Sequence, residues 1–119
     1  MNQLTKKFDL QERTAQLGEE IIKFCKKIKP DLVTRSLIDQ VIRSSTSIGA
    51  NYMEANGASS KKDFRNKVYI CKKEAQETQH WLRMLSSALP ERKQELRVLW
   101  QETHELVLIF QKITSSMNG

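Results

Sequence analysis

Apolar residues recur at three- and four-residue intervals along four successive stretches of this chain. Leu10, Thr14, Leu17, Ile21, Phe24 and Ile28 form the first line, and Ile38, Val41, Ser45, Ile48, Tyr52 and Ala55 form the second. Phe64, Val68, Cys71, Ala75, Thr78, Leu82, Leu85 and Leu89 form the third, and Leu96, Leu99, Thr103, Leu106, Phe110, Ile113 and Met117 form the fourth. Such spacing places each line on one face of an α-helix, the face that turns to a core. Pro30, Gly57 and Pro90 fall between the lines, where residues that break helices belong. The pattern predicts helices at approximately 9–29, 31–56, 60–88 and 90–116. Short connections make neighbours antiparallel, so the expected fold is all-α, an up-down-up-down four-helix bundle forming one domain over residues 1–119.

Local chemistry supports these limits. Asp9 with Glu12, and Ser60 with Asp63, suit N-terminal caps, because their side chains accept from orphan backbone N–H groups. Pro30 is expected to end the first helix and open the second. Asn56-Gly57 is expected to close the second with a left-handed cap. The stretch from Ser44 to Ala50 is unusually small. Its unbroken periodicity argues for helix, and its small side chains let a neighbouring helix approach closely.

Composition narrows the class. The chain has 119 residues, is 39% apolar and 29% charged, and contains only four Gly and two Pro. That supplies one core, with strand signals weak. No run approaches the roughly 18 apolar residues of a spanning helix. The first twenty residues are polar throughout, which argues against a secretory signal and for the cytoplasm. Cys25 and Cys71 stand apart on apolar faces, as reduced core thiols do.

The net charge of +6 is unevenly distributed. Residues 58–88 carry seven cations against three carboxylates, residues 1–30 seven against four, and residues 89–119 four of each. The surplus therefore belongs to Lys23, Lys26, Lys27 and Lys29, and to Lys61, Lys62, Arg65, Lys67, Lys72 and Lys73. Clustered cations attract phosphate backbones by releasing condensed counterions. They are also what an ordinary solvated helix face displays.

Catalytic and metal chemistry find little support. Glu77-x-x-His80 has the spacing of a di-iron ligand pair, but bundles that hold such sites need the motif twice plus two further glutamates. His104 follows Gln101 rather than a glutamate at that spacing. There is no glycine-rich phosphate loop. No catalytic residue, metal or cofactor is expected.

A polar stripe is more informative. Arg43, Ser47, Asn51 and Glu54 share one side of the second helix, and a hairpin turning near residue 58 sets Arg43 opposite Glu74 and Glu77. These six residues form an expected structural cluster, with an ion pair that fixes the register of the hairpin. Trp81 and Trp100 sit one step off the apolar lines, where an indole either closes a flank of the bundle or anchors a subunit interface. With Tyr69, Ile70, Val107 and Ile109 beside them, the apolar face is broader than one monomer needs, which favours a homo-oligomer.

The residues from Gln40 to Gly57, containing Ser47-Ile48-Gly49-Ala50-Asn51-Tyr52-Met53-Glu54, then Phe64, then Lys73-Glu74-Ala75-Gln76-Glu77-Thr78-Gln79-His80-Trp81-Leu82, resemble the bacterial four-helix bundle family called 23S rRNA intervening-sequence proteins. The resemblance covers nearly the whole chain and departs from the usual pattern at Ala55, with Gly57 falling later than the family's glycine. It implies a ring-like homopentamer, as relatives form. It also implies kinship with an accessory protein of diversity-generating retroelements, whose basic surface engages nucleic acid and a reverse transcriptase. The expected function is accordingly a non-enzymatic oligomer that binds RNA or DNA through Lys61, Lys62, Arg65, Lys72 and Lys73. The alternative is a scaffold that docks another protein, with its charge serving solubility. Aromatic residues are sparse in that basic stretch, so contacts to phosphates rather than base stacking are expected there.

Overall fold

A computed structural model describes residues 9–117; the sequence readings that involve residues 1–8, including the polar leader, lie partly outside the described residues. Four long helices follow one another: α1 (Leu10–Lys26), α2 (Leu32–Asn56), α3 (Lys61–Ala88) and α4 (Lys93–Ser116), with a short 3₁₀ turn (Pro90–Arg92) before the last. Each packs on its neighbour in sequence and α4 returns to α1, closing an all-α four-helix bundle of 46 × 30 × 20 Å. The four apolar lines meet inside. Ile21, Val41, Ile48, Val68, Cys71, Leu85, Leu106 and Phe110 are fully shielded from solvent. Ile38, Tyr52, Phe64, Leu89, Leu99 and Ile113 flank the core half-buried.

The helix ends explain the small differences from the expected limits. Asp9 accepts from the Glu12 N–H at 3.1 Å and Ser60 Oγ from the Asp63 N–H at 3.0 Å. Pro30 does not open α2. Asp31 does, accepting from the N–H groups of Val33 and Thr34 while Thr34 Oγ1 accepts from the Asp31 N–H, a reciprocal capping box. The carboxylate–hydroxyl pair is the stronger start signal, and the proline sits outside it. Gly57 corrects a second expectation: its φ is −96°, and no described residue has a positive φ. The last turn tightens instead, with Gly57 N–H donating to Glu54 O and Ala58 N–H to Ala55 O, so the terminal carbonyls are satisfied without a left-handed residue.

Small residues set the separation of α2 and α3. Cys71 Sγ donates to Ile48 O at 3.6 Å, and the Ser44 and Thr78 hydroxyls lie 2.8 Å apart with no solvent exposure. Thr14, Thr78, Thr103 and Thr114 each return their hydroxyl to the carbonyl four residues earlier, so these buried hydroxyls are hydrogen-bonded. Burial pushes the thiol of Cys25 up to about 11 and that of Cys71 up to about 12, which keeps both protonated in the core.

Gly18 lies where α1 meets α2. A β-carbon there would stand 3.7 Å from both Ser45 O and Thr46 Cγ2, ordinary van der Waals contact. Gly18→Ala therefore gains helix propensity without a clash. It is expected to raise stability by about 0.5–1 kcal/mol, read as a higher urea midpoint. A lower midpoint would mean that the α1–α2 approach is tighter than its backbone geometry indicates.

Candidate functional site

The six residues of the polar stripe lie along the α2–α3 face. Arg43 Nη1 donates to Glu74 Oε2 at 3.5 Å and Nη2 to Glu77 Oε2 at 3.4 Å. Ser47 Oγ returns to Arg43 O, Asn51 Nδ2 donates to Ser47 O, and Glu54 pairs with Lys67 at 3.0 Å. Ser47 and Asn51 thus bond within their own helix, while Arg43 and Glu54 reach across to α3.

Of the charged members Glu74 is the most enclosed, its Oε1 shut from solvent and without a hydrogen-bond partner. Burial first, and then its contact with Glu77, holds the Glu74 carboxyl above the usual carboxylate range, with Arg43 pulling the other way. Glu77 is held low, by its contact with Glu74 first and then by Arg43 and Lys73. A raised native pKa means that ionising Glu74 opposes folding, so its favourable contribution is present at acid pH and lost as pH rises through the native value. Glu74→Gln keeps the shape and cannot ionise. It is expected to unfold at higher urea than the parent at pH 7, with the difference vanishing toward pH 4. An unchanged or lower midpoint at pH 7 would show that the Arg43 contact outweighs burial.

The five candidate phosphate contacts separate into two groups. Lys61, Arg65 and Lys72 follow one helical face of α3, on the side of α4, where Lys72 Nζ donates to Gln111 Oε1. Arg65 donates to Tyr69 Oη at 3.0 Å and stacks over that ring at 4.9 Å, with Lys72 Nζ 5.8 Å from the same ring. Lys62 and Lys73, eleven residues apart, occupy a face further round, and Lys73 lies close enough to Glu77 to lower it.

The structure adds cations that net charge concealed. Residues 89–119 are neutral in sum, yet α4 is two-sided. Its carboxylates turn to α1: Arg13 makes a bidentate contact with Glu102 at 2.8 and 2.9 Å and reaches Glu105 at 2.7 Å, while Glu95 takes Lys27. The carboxylates of α3 turn the opposite way, Glu74 and Glu77 to Arg43, with Asp63 on the Glu74 face. Between them the α3–α4 seam holds Lys61, Arg65, Lys72 and Arg83 from one helix and Lys93 and Arg97 from the other. No carboxylate is named in the lining of its turn end, and helical spacing sets Asp63, Glu74, Glu77, Glu95, Glu102 and Glu105 on other faces of the two helices. The four-residue step from Lys93 to Arg97, out of phase with Glu91, Glu95, Glu102 and Glu105, was the available signal.

At its turn end the seam opens into a cleft of about 540 Å³ whose lining includes Leu82, Arg83, Lys93, Leu96, Arg97 and Trp100. Further along, Gln79 bonds to His104 Nδ1 at 3.2 Å, and His104 stacks on Trp100 with ring centroids 5.0 Å apart. Trp81 packs half-buried on the core, its ring edge-on to His80. Glu77-x-x-His80 gathers no further ligands: no group of three His, Cys, Asp or Glu suited to a metal exists among the described residues. No described helix is long and apolar enough to cross a membrane.

Comparisons with known proteins agree with this architecture. No curated protein matches the sequence. A Bacteroides thetaiotaomicron protein of unknown function from the S23 ribosomal protein family, solved by crystallography, superimposes with a TM-score of 0.76 at 30% identity, covering 87% of this chain and 96% of that one. The profile of the 23S rRNA-intervening sequence proteins matches residues 6–112, from before α1 to the last turns of α4. On that match and the shared fold, the chain belongs to the 23S rRNA-intervening sequence protein family.

Proposed function

We propose that this chain is a non-enzymatic, homo-oligomeric bundle of the bacterial cytoplasm that binds RNA or DNA by its phosphate backbone along the α3–α4 seam. The observation that carries this reading is the segregation of charge. Glu74 and Glu77 of α3 and Glu95, Glu102 and Glu105 of α4 are turned to Arg43, Lys27 and Arg13, and the charged side chains of the two helices left along the seam are cations. A strand laid there meets no carboxylate of α3 or α4 among the described residues, and each phosphate contact releases counterions. Contacts of this kind position a strand without reading its sequence. Lys62 and Lys73 extend the basic surface outward from the seam.

Self-association finds support on the opposite flank. A shallow groove of about 330 Å³ between α1 and α2 is lined by Ala15, Gly18, Ile22, Gly49, Ala50 and Met53. Ile22 is 37% and Met53 58% exposed, an apolar surface suited to a second copy in the pentamer that the family resemblance implies. The same groove favours the second reading, a scaffold that docks another protein.

Fluorescence anisotropy of a labelled single-stranded RNA, titrated at about 50 and 200 mM salt, tests the principal reading. Binding at low salt with affinity falling steeply at high salt is the expected result. Absence of binding at low salt removes the nucleic-acid reading, and salt-insensitive binding removes its electrostatic mechanism. Light scattering tests the pentamer, for which five copies of the 13.8 kDa chain are expected; a monomer at micromolar concentration would overturn it.

A further inference from the structure

The cleft at the α3–α4 turn differs in kind from the rest of the seam. Its floor is apolar, formed by Leu82 and Leu96, each 1% exposed. Trp100 forms part of its wall. Its rim carries Arg83, Lys93 and Arg97, all exposed and without an ion-pair partner among the described residues. A plain phosphate track needs no indole and no apolar floor. An apolar ligand, in turn, would use the floor and make no use of the three cations at the rim.

One ligand class uses both halves. Guanidinium groups present forked donors that match phosphate oxygens, and a base offers a flat face to an indole and to leucine side chains. Trp100 is already held in plane by the stacked His104 ring, with an interplanar angle of 11°, so little rotamer freedom remains to be lost when a base stacks. The volume of about 540 Å³ lies within the range of small-ligand sites. Inside a duplex, both faces of each base are stacked on neighbours and unavailable.

We propose that this cleft receives one unpaired nucleotide, its base against Trp100, Leu82 and Leu96 and its phosphate held by Arg83, Lys93 and Arg97. The inference rests on the seam as the backbone track and adds a selectivity that the seam lacks, for single strands over duplexes. A free nucleoside monophosphate shares this chemistry with a nucleotide inside a strand, and the two sources separate by affinity.

The test uses the full-length protein with Trp81→Phe, which leaves Trp100 as the sole indole reporter. The probes are a 12-mer oligoadenylate, the same strand paired with oligouridylate, AMP and adenosine, all at about 50 mM salt. The single strand is expected to quench Trp100 emission and to bind about tenfold or more tighter than the duplex. AMP is expected to quench weakly at millimolar concentration, and adenosine less than AMP. Trp100→Leu should lower single-strand affinity about tenfold while leaving duplex affinity and the salt slope unchanged. Arg97→Gln, an exposed change that the fold tolerates, should weaken AMP. Equal, salt-sensitive binding of both strands without quenching would overturn the cleft and leave the seam reading standing. Failure of both strands to bind would overturn the two together. Quenching by AMP with no gain from the strand would make the cleft a free-nucleotide site and overturn its role in strand selection.

Discussion

Replacing Lys61, Arg65 and Lys72 together with glutamine is expected to lower single-stranded RNA affinity by about three orders of magnitude at 50 mM salt, and to flatten the salt dependence by about two units. The three side chains share the face of α3 beside α4; the contacts they give up include a hydrogen bond and a ring contact to Tyr69 one turn on and a bond from Lys72 to Gln111 of α4. Because Arg65 and Lys72 are half-buried, the thermal midpoint is measured alongside, and a loss of affinity at an unchanged midpoint is the expected result. Lys62→Gln with Lys73→Gln removes charge from the neighbouring outward face and should cost much less, because Lys73 already serves Glu77. A third variant, with Lys23 and Lys26 of α1 neutralised, lowers net charge at a distance and should behave almost as the parent. Equal losses in all three would mean that total charge, and not the seam, governs binding.

The largest effect on stability is expected at Phe110. Its ring has no solvent exposure, lies on the core line of α4 and stands 6.2 Å from the Tyr52 ring in a tilted arrangement. Truncation to alanine removes the transfer energy of the ring and leaves a cavity that four rigid helices cannot fill by collapsing. The expected cost is about 3–5 kcal/mol, against a total of about 5–15 kcal/mol for domains in general. Urea unfolding followed by circular dichroism measures it. Phe110→Leu, which keeps most of the volume, should cost under about 1.5 kcal/mol. If the alanine variant lost no more than the leucine variant, Phe110 would border a void instead of sealing the core.

The fold was legible because its determinants are periodic and local. Lines such as Phe64, Val68, Cys71 and Ala75 repeat every turn, and each residue on them is buried or half-buried. The small stretch around Ser45 was readable for the same reason, its period continuing unbroken through residues of modest helix propensity. The contact of Arg43 with Glu74 and Glu77 followed from counting along a short hairpin. What escaped the sequence depends on pairs far apart in the chain. Arg13 meets Glu102 across 89 positions, and no local pattern links them. Without that link the charges of α4 sum to nothing, and its basic side, with Lys93 and Arg97, stays hidden. Trp100 was recognisable as a flanking aromatic, but its place in a basic cleft required knowing that Arg83 on α3 faces it. Gly57 was misread because the turn closed its carbonyls by tightening, an option no residue type announces.

The division of charges between seams has a consequence for how such a protein changes over time. The carboxylates that tie helices together and the cations that face the α3–α4 groove are separate sets of residues, held on opposite sides of the same two helices. If the groove captures a strand as proposed, substitutions there should alter capture while the inter-helix ion pairs of Arg13 and Arg43 stay intact. Rising ionic strength should likewise release a bound strand well before it loosens the bundle, whose stability rests on the apolar lines. Affinity and foldedness are two independently adjustable quantities in this architecture.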